Sequence, residues 1–257
     1  MSLCEDLHFL NGAYAEYLLV PERIVSKNLY QLSPGTSFAA AALTEPLACA
    51  LHGVDASEII SGDTVVILGS GPLGLLLVAA AKLRGAHVIV TGHGADRLTL
   101  ANHFGADVVI DASTFSSQEL NTTIRSLTPA HRGADVVIEA VGTPETWTLA
   151  TTLARPGGLV NFFGGCPAGT QVSLDTHPLH YSELTLKGVF HHTPGYFAQA
   201  LELITELRID VEALITAYMP LESSLNALEL LLQKQGVKYA LIPPAFQQSQ
   251  ALLAIPG

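Results

Sequence analysis

Between residues 64 and 190 the chain alternates short apolar runs with longer stretches whose hydrophobic positions recur at helical spacing. The short runs are Thr64–Leu68, His87–Thr91, Val108–Ile110, Val136–Glu139, Leu159–Phe163 and Thr185–Phe190, all rich in β-branched residues. The helix-compatible stretches between the first five close on Gly85, Gly105, Pro129-Ala130 and Pro156-Gly157-Gly158, residue types that interrupt regular backbone. Strands apolar on both sides predict a parallel sheet covered by helices. Right-handed crossovers then make it a doubly wound α/β sheet. The Gly-Ala-Asp triplets at 105–107 and 133–135 read as helix-to-strand turns, not as a long-period repeat.

The flanks follow other patterns. Residues 11–32 alternate like an antiparallel strand, with Pro21 marking an edge or a turn. Residues 196–207 and 221–233 predict helices, Val237–Ile242 a last strand, and the tail from Pro243 shows no period. The centre is thus expected to be a complete domain and the two ends pieces of another.

Composition narrows the function. Of 257 residues, 49% are hydrophobic and 14% charged, enough apolar material for a sizeable core. A formal net charge of -11 repels nucleic acid and anionic membrane surfaces. The three cysteines, Cys4, Cys49 and Cys166, lie far apart and form no disulfide framework, as suits a reducing compartment. The first ten residues, MSLCEDLHFL, lack the pattern of a secretory signal, and the longest apolar run, Leu73 to Ala81, is too short for a bilayer. A cytoplasmic protein without membrane or nucleic-acid partners is expected.

The segment that joins the first strand to the next helix is Gly69-Ser70-Gly71-Pro72-Leu73-Gly74. In a strand-to-helix turn, Gly69 permits the tight bend, Gly71 lets a diphosphate approach the backbone, and Gly74 lets helix pack on strand. The amides at the helix start then face the phosphates. A plain glycine-rich turn is the alternative. At the end of the second strand, where a carboxylate usually accepts hydrogen bonds from the adenosine ribose, the chain reads Thr91-Gly92-His93-Gly94, and the first acid is Asp96. That lack removes repulsion against a 2′-phosphate, which His93 or Arg97 could pair with, so NADP is expected over NAD. Arg97 as a solvated helix residue is the competing reading. The missing acid also counts against a methyltransferase using S-adenosylmethionine.

In these motifs the chain resembles the medium-chain dehydrogenase/reductase family, of the zinc-dependent sorbitol and threonine dehydrogenase type. The resemblance runs in order through Gly12-Ala13-Tyr14-Ala15-Glu16-Tyr17, Glu45-Pro46-Leu47, the glycine-rich turn, Arg97-Leu98, Gly105-Ala106-Asp107, Asp135-Val136-Val137-Ile138-Glu139, Pro156-Gly157-Gly158 and Leu186-Lys187-Gly188. It implies a Rossmann NAD(P)-binding domain over 46–209, and a partial GroES-like β domain from 1–45 and 210–257. It also implies nicotinamide-side contacts from Ala140-Val141-Gly142, Phe163-Gly164-Gly165 and Phe190-His191. Ordinary strand ends facing solvent are the alternative for each loop.

In the resembled enzymes the carboxylate of this Glu-Pro-Leu joins a catalytic zinc, whose other ligands are a cysteine and a histidine far upstream. Cys4 resembles the last of four cysteines around a structural zinc. Because a catalytic zinc takes about three protein ligands, Glu45 is expected to be a vestigial ligand and this chain not to hold zinc. For Glu45 a helix-start role before Pro46 competes. Cys49, one turn later, is expected to line the cleft or to be a small core thiol, and His52 to pack or cap. Adjacent His191 and His192, near His177 and His180, make poor chelators in extended backbone. A cofactor contact from His191 or a subunit contact from His192 is expected instead.

The implied activity is hydride transfer between NAD(P) and a small alcohol, polyol or ketone, impaired for want of zinc ligands. A non-catalytic dinucleotide-binding module and a zinc-free reductase of the quinone oxidoreductase kind remain open. A homodimer or higher assembly is expected, since in the family the strand at Leu184–Phe190 pairs across a dimer.

Overall fold

The computed structural model describes residues 12–244. Cys4 and the tail beyond Pro244 lie outside the described residues. In chain order the helices are α1 (Glu22–Asn28), α2 (Phe38–Ala41), α3 (Thr44–Ala56), α4 (Pro72–Leu83), α5 (Ala95–His103), α6 (Ser117–Ser126), α7 (Pro144–Leu153), α8 (Thr176–Tyr181), α9 (Pro194–Thr205) and α10 (Ser224–Leu232). The strands are β1 (Thr64–Leu68), β2 (His87–Gly92), β3 (Val108–Asp111), β4 (Ala134–Glu139), β5 (Ala154–Phe162), β6 (Thr185–Gly188), β7 (Ile215–Pro220) and β8 (Lys238–Ile242). They fall into two compact units, Cys49–His191 and the described parts of Met1–Ala48 with His192–Gly257.

The central unit holds a six-stranded sheet in the order β3-β2-β1-β4-β5-β6, every pair parallel. The order in which strands are added reverses between β1 and β4, which is where doubly wound sheets open a ligand crevice at the strands' carboxyl ends. β1 (TVVIL) is buried throughout, as its lack of alternation requires. Against it lies α4, whose residues Gly74 to Ala81 are all buried. The core continues through Ile89, Ile124, Val137, Leu153 and Val160. Local signals start the helices: Ser116 and Glu119 form a capping box on α6, and Thr143 with Thr146 does the same for α7, where Pro144 takes the first turn.

Two buried polar groups lock this sheet. Asn161 donates from Nδ2 to the Gly53 carbonyl at 2.9 Å and to Ser57 Oγ at 2.8 Å, tying β5 to α3. Asp135 accepts from the Thr64 amide at 2.8 Å, from Arg132 at 2.9 Å and from Arg155 at 2.5 Å. Burial alone raises the Asp135 pKa, but the Arg155 and Thr64 hydrogen bonds and both guanidinium charges outweigh it, and the net shift is downward from 3.8. A depressed folded pKa contributes stability that is present above the unfolded value and lost as pH falls through the folded one. Asp135→Asn is therefore expected to lower Tm near neutral pH and to flatten the loss of Tm between about pH 5 and pH 2. Thermal melts across that range, with wild type alongside, measure it.

In the unit built from the chain ends, β7 and β8 form a two-stranded parallel sheet with a register shift between Ile215 and Ala217. Tyr30, two residues past α1, stacks on Phe197 of α9 with ring centroids 5.9 Å apart. By contact α9 belongs here, whereas the sequence grouping placed residues up to 209 with the dinucleotide domain. The strand expected over 11–32 is not formed among the described residues. Pro21 starts α1 instead, with Glu22 in its first turn and Lys27 in its last, the order of charge that a helix dipole favours. Among the described residues no helix is long and apolar enough to cross a membrane.

Candidate functional site

The glycine-rich turn sits at the carboxyl end of β1. Gly69 takes φ +114°, a conformation open to glycine and strained for other residues, and its amide donates to the Thr91 carbonyl at 2.8 Å. Gly71 precedes α4 as its N-cap with no side chain closing the helix start. A Cβ on Gly71 would meet nothing within 4 Å, so the backbone there faces open space. A Cβ on Gly74 would lie 1.9 Å from the Gly69 carbonyl oxygen, so the first turn of α4 is pressed against the bend. Uncapped amides above an open backbone are what a diphosphate needs. Pro72 contributes no amide, and Leu73 is exposed.

At the end of β2 the geometry adds to the sequence reading. Gly92 leaves no room for a side chain, because a Cβ there would lie 1.9 Å from Ser70 Oγ and 2.8 Å from the Ser70 amide nitrogen. Ser70, itself buried, thus fills the place of the absent acid. Opposite Gly92 in the parallel register is Asp111, whose carboxylate accepts from the Ser113 amide and hydroxyl at 2.9 and 2.6 Å. Asp111 titrates below 3.8 chiefly because of those bonds, with a smaller contribution from nearby His93. His93 is exposed and Arg97 half-buried in the first turns after it.

The loops after β4 and β5 adjoin the turn. A Cβ on Gly69 would be 3.0 Å from Val141 and 3.1 Å from the Ala140 carbonyl oxygen. Gly142 and Gly165 approach so closely that a Cβ on Gly142 would sit 2.5 Å from the Gly165 oxygen. Phe163 turns its ring inward, where a Cβ on Gly53 would meet it at 2.8 Å, so only its backbone borders the loop. Phe190 is exposed and stands edge-on to His191 at 5.5 Å. His52, expected to pack or cap, is within 2.7 Å of the His191 carbonyl through Nδ1.

Glu139 closes β4 with a carboxylate that is wholly buried. Its role was not apparent from sequence, although an acid ending an otherwise apolar run is a visible signal. Burial pushes its pKa up from 4.5, against hydrogen bonds that pull it down.

Glu45 starts α3 and is half-exposed, with its Oε1 3.7 Å from His192 Nε2. The ammonium of Lys238 is largely buried, which lowers its pKa, and the Glu45 charge partly offsets that. Glu45 and His192 are two candidate donors in this unit. Cys49 follows one turn along α3 and is a half-buried thiol. His177 and His180 lie on α8 against Tyr181, each ring 4.7 Å from it, apart from these groups in the sequence.

The zinc-binding dehydrogenase family model matches residues 72–206, and a curated relative is 32% identical over 92% of the chain. The chain belongs to the zinc-binding dehydrogenase family. That relative is "Probable D-xylulose reductase A" of Arthroderma otae, of which the match covers 67%. Among solved structures, alcohol dehydrogenase TADH from Thermus sp. ATN1 superposes with a TM-score of 0.82 at 29% identity, over 91% of this chain and 68% of that one. A structure from Sinorhizobium meliloti 1021, solved bound to NADP, gives 0.81 at 33% identity, over 91% and 66%. This zinc-binding dehydrogenase family member thus spans about two thirds of the length of its relatives. The family and the Rossmann-type sheet support a nicotinamide dinucleotide as cofactor.

Proposed function

We propose that this chain binds NADP(H) and serves an oxidoreductase that moves hydride between that cofactor and a small alcohol, polyol or ketone. The observation that carries the reading is the uncapped start of α4 above open backbone at Gly71, at the crevice between β1 and β4. In this reading Gly69, Ser70, Gly71, Pro72, Leu73 and Gly74 hold the diphosphate, and Gly92, His93 and Arg97 border the adenosine ribose. Ala140, Val141, Gly142, Phe163, Gly164, Phe190 and His191 border the nicotinamide. When bound, the cofactor supplies the hydride; the chain's part is to orient it and exclude water.

Preference for NADP rests on Ser70 standing where an acid would repel the 2′-phosphate, and on Arg97 nearby as a cation. Titration by NADPH fluorescence is expected to saturate in the micromolar range. Arg97→Ala should weaken NADPH about tenfold and leave NADH unchanged, the loss of one charge-assisted hydrogen bond to phosphate. Equal losses for both nucleotides would remove the assignment to Arg97, and no saturation with either would remove the whole reading.

Substrate chemistry near Glu45 and Cys49 is a separate part of the proposal. In this reading the chain is expected to bind cofactor well and to oxidise polyols slowly. Steady polyol oxidation together with about one zinc per chain by metal analysis would overturn that part. If NADPH binds and no alcohol, polyol or quinone is turned over, the chain is a cofactor-binding module. We further propose a homodimer formed at β6, which is one edge of the six-stranded sheet, and a cytoplasmic setting, where Cys49 and Cys166 stay reduced. Light scattering at micromolar concentration tests the dimer, and a monomer would refute it.

A further inference from the structure

Glu139 joins the two loops that border the nicotinamide side of the proposed cofactor site. Its Oε1 accepts from the Val141 amide at 2.8 Å and the Gly142 amide at 2.9 Å, and its Oε2 lies 3.2 Å from the Gly142 nitrogen. Its main-chain oxygen accepts from the Phe163 and Gly164 amides at 3.0 and 2.7 Å. One residue thus holds the loop after its own strand by its side chain and the loop after the neighbouring strand by its backbone.

Three further contacts show that the carboxylate has a built place. A Cβ on Gly164 would fall 2.7 Å from Glu139 Oε2 and 2.7 Å from the Gly142 nitrogen, so the second loop leaves room for this group. Trp147 Nε1 donates to the Gly164 carbonyl at 2.9 Å, closing the far side. The Trp147 ring stacks on Phe162 with centroids 4.1 Å apart, which fixes that donor on β5.

Peptide geometry makes the consequence specific. In a planar trans peptide the N–H and C=O point in opposite directions. Turning the Val141 and Gly142 amides inward to Glu139 therefore turns the carbonyls of Ala140 and Val141 away from it. The Ala140 oxygen does face the phosphate turn, within 3.1 Å of where a Cβ on Gly69 would be. Val141 itself is 49% exposed. Without an internal acceptor these peptides would have to turn their amides to water and their carbonyls with them.

We propose that Glu139 is a positioning residue that fixes the peptide orientation of the 140–142 loop, so that its carbonyl oxygens face the carboxamide end of a bound nicotinamide. The proposal rests on the dinucleotide reading and assigns this residue to one half of the cofactor only. The diphosphate is held by the turn after β1 and the adenosine ribose is bordered by the end of β2, neither of which Glu139 touches through any of the bonds above. The group acts as an acceptor of two amides, a task that an amide side chain can also perform.

The test compares NADPH with 2′-phospho-ADP-ribose, which lacks the nicotinamide, on wild type, Glu139→Ala and Glu139→Gln. Direct titration by calorimetry is used for both ligands. Glu139→Ala is expected to weaken NADPH about tenfold or more, the equivalent of two lost acceptor contacts, while 2′-phospho-ADP-ribose stays within about twofold. Glu139→Gln is expected to recover NADPH binding to within about threefold of wild type. Equal weakening of both ligands would make Glu139 a merely structural residue and overturn the proposal, as would no weakening of either. A glutamine variant as weak as the alanine one would overturn the acceptor role. Wild type binding neither ligand would instead remove the underlying dinucleotide reading, and is seen before any variant is made.

Discussion

Gly74→Ala is expected to abolish measurable NADPH binding while leaving the chain folded but less stable. The added Cβ would lie 1.9 Å from the Gly69 carbonyl oxygen and 2.9 Å from its carbon, both backbone atoms that cannot rotate aside. Either α4 moves off β1 or the bend at Gly69 opens. α4 is held along its length by the buried run from Leu75 to Ala81, so the bend is the softer partner. Overpacking of this kind costs roughly 1–3 kcal/mol. An opened bend misdirects the amides at the helix start, and losing two phosphate hydrogen bonds weakens binding about 100-fold or more. Circular dichroism melts and an NADPH titration on one preparation separate the two effects. Unchanged affinity would mean that the diphosphate does not rest on this turn.

The second large effect concerns the choice between the two nicotinamide nucleotides. Gly92→Asp alone is expected to destabilise the chain and lose both nucleotides, because its Cβ would fall 1.9 Å from Ser70 Oγ and 2.3 Å from Ser70 Cβ. Adding Ser70→Gly removes those two atoms and leaves the 2.8 Å approach to the residue 70 nitrogen. The double variant should regain part of the stability and prefer NADH. A carboxylate there repels a 2′-phosphate and accepts hydrogen bonds from a free ribose hydroxyl. The ratio of the two dissociation constants should shift on the order of 100-fold, about 2.7 kcal/mol. A double variant that still prefers NADPH would show that the adenosine end lies elsewhere.

Much of the sheet was legible because the middles of its central strands are unbroken apolar runs, Val65–Leu68, Val88–Val90 and Val136–Ile138. Thr64–Leu68 was read with the bounds the structure has, and the others with ends moved by a few residues. β5 begins five residues early, at Ala154, since Arg155-Pro156-Gly157-Gly158 looks like a turn in sequence yet continues the strand across an irregular register with β4. The alternation over 11–32 misled for the opposite reason: a strand needs a neighbour to take its hydrogen bonds, and the pattern says nothing about whether one is present. β7 was missed because ITAYMP neither alternates cleanly nor avoids proline.

The site divides in the same way. The bend at 69–74 is a local motif and could be read directly. The fit of Ser70 into the space beside Gly92 joins residues on two strands. The pairing of Gly92 with Asp111 depends on sheet register. Glu139 is legible only when its two loops are seen around it. Side-chain chemistry was visible in the sequence, whereas the spaces it fills were not.

Ser37 hydrogen-bonds Glu212 across 175 positions of chain, inside a unit assembled from segments on either side of the central one. A ribosome therefore releases the segment Cys49–His191 in one piece, ready to collapse, before the partner of Ser37 exists. Ser37 must wait, uncommitted, until the segment that carries Glu212 has been made. Slower synthesis lengthens the interval in which the apolar side chains of that late-forming body lack their mates.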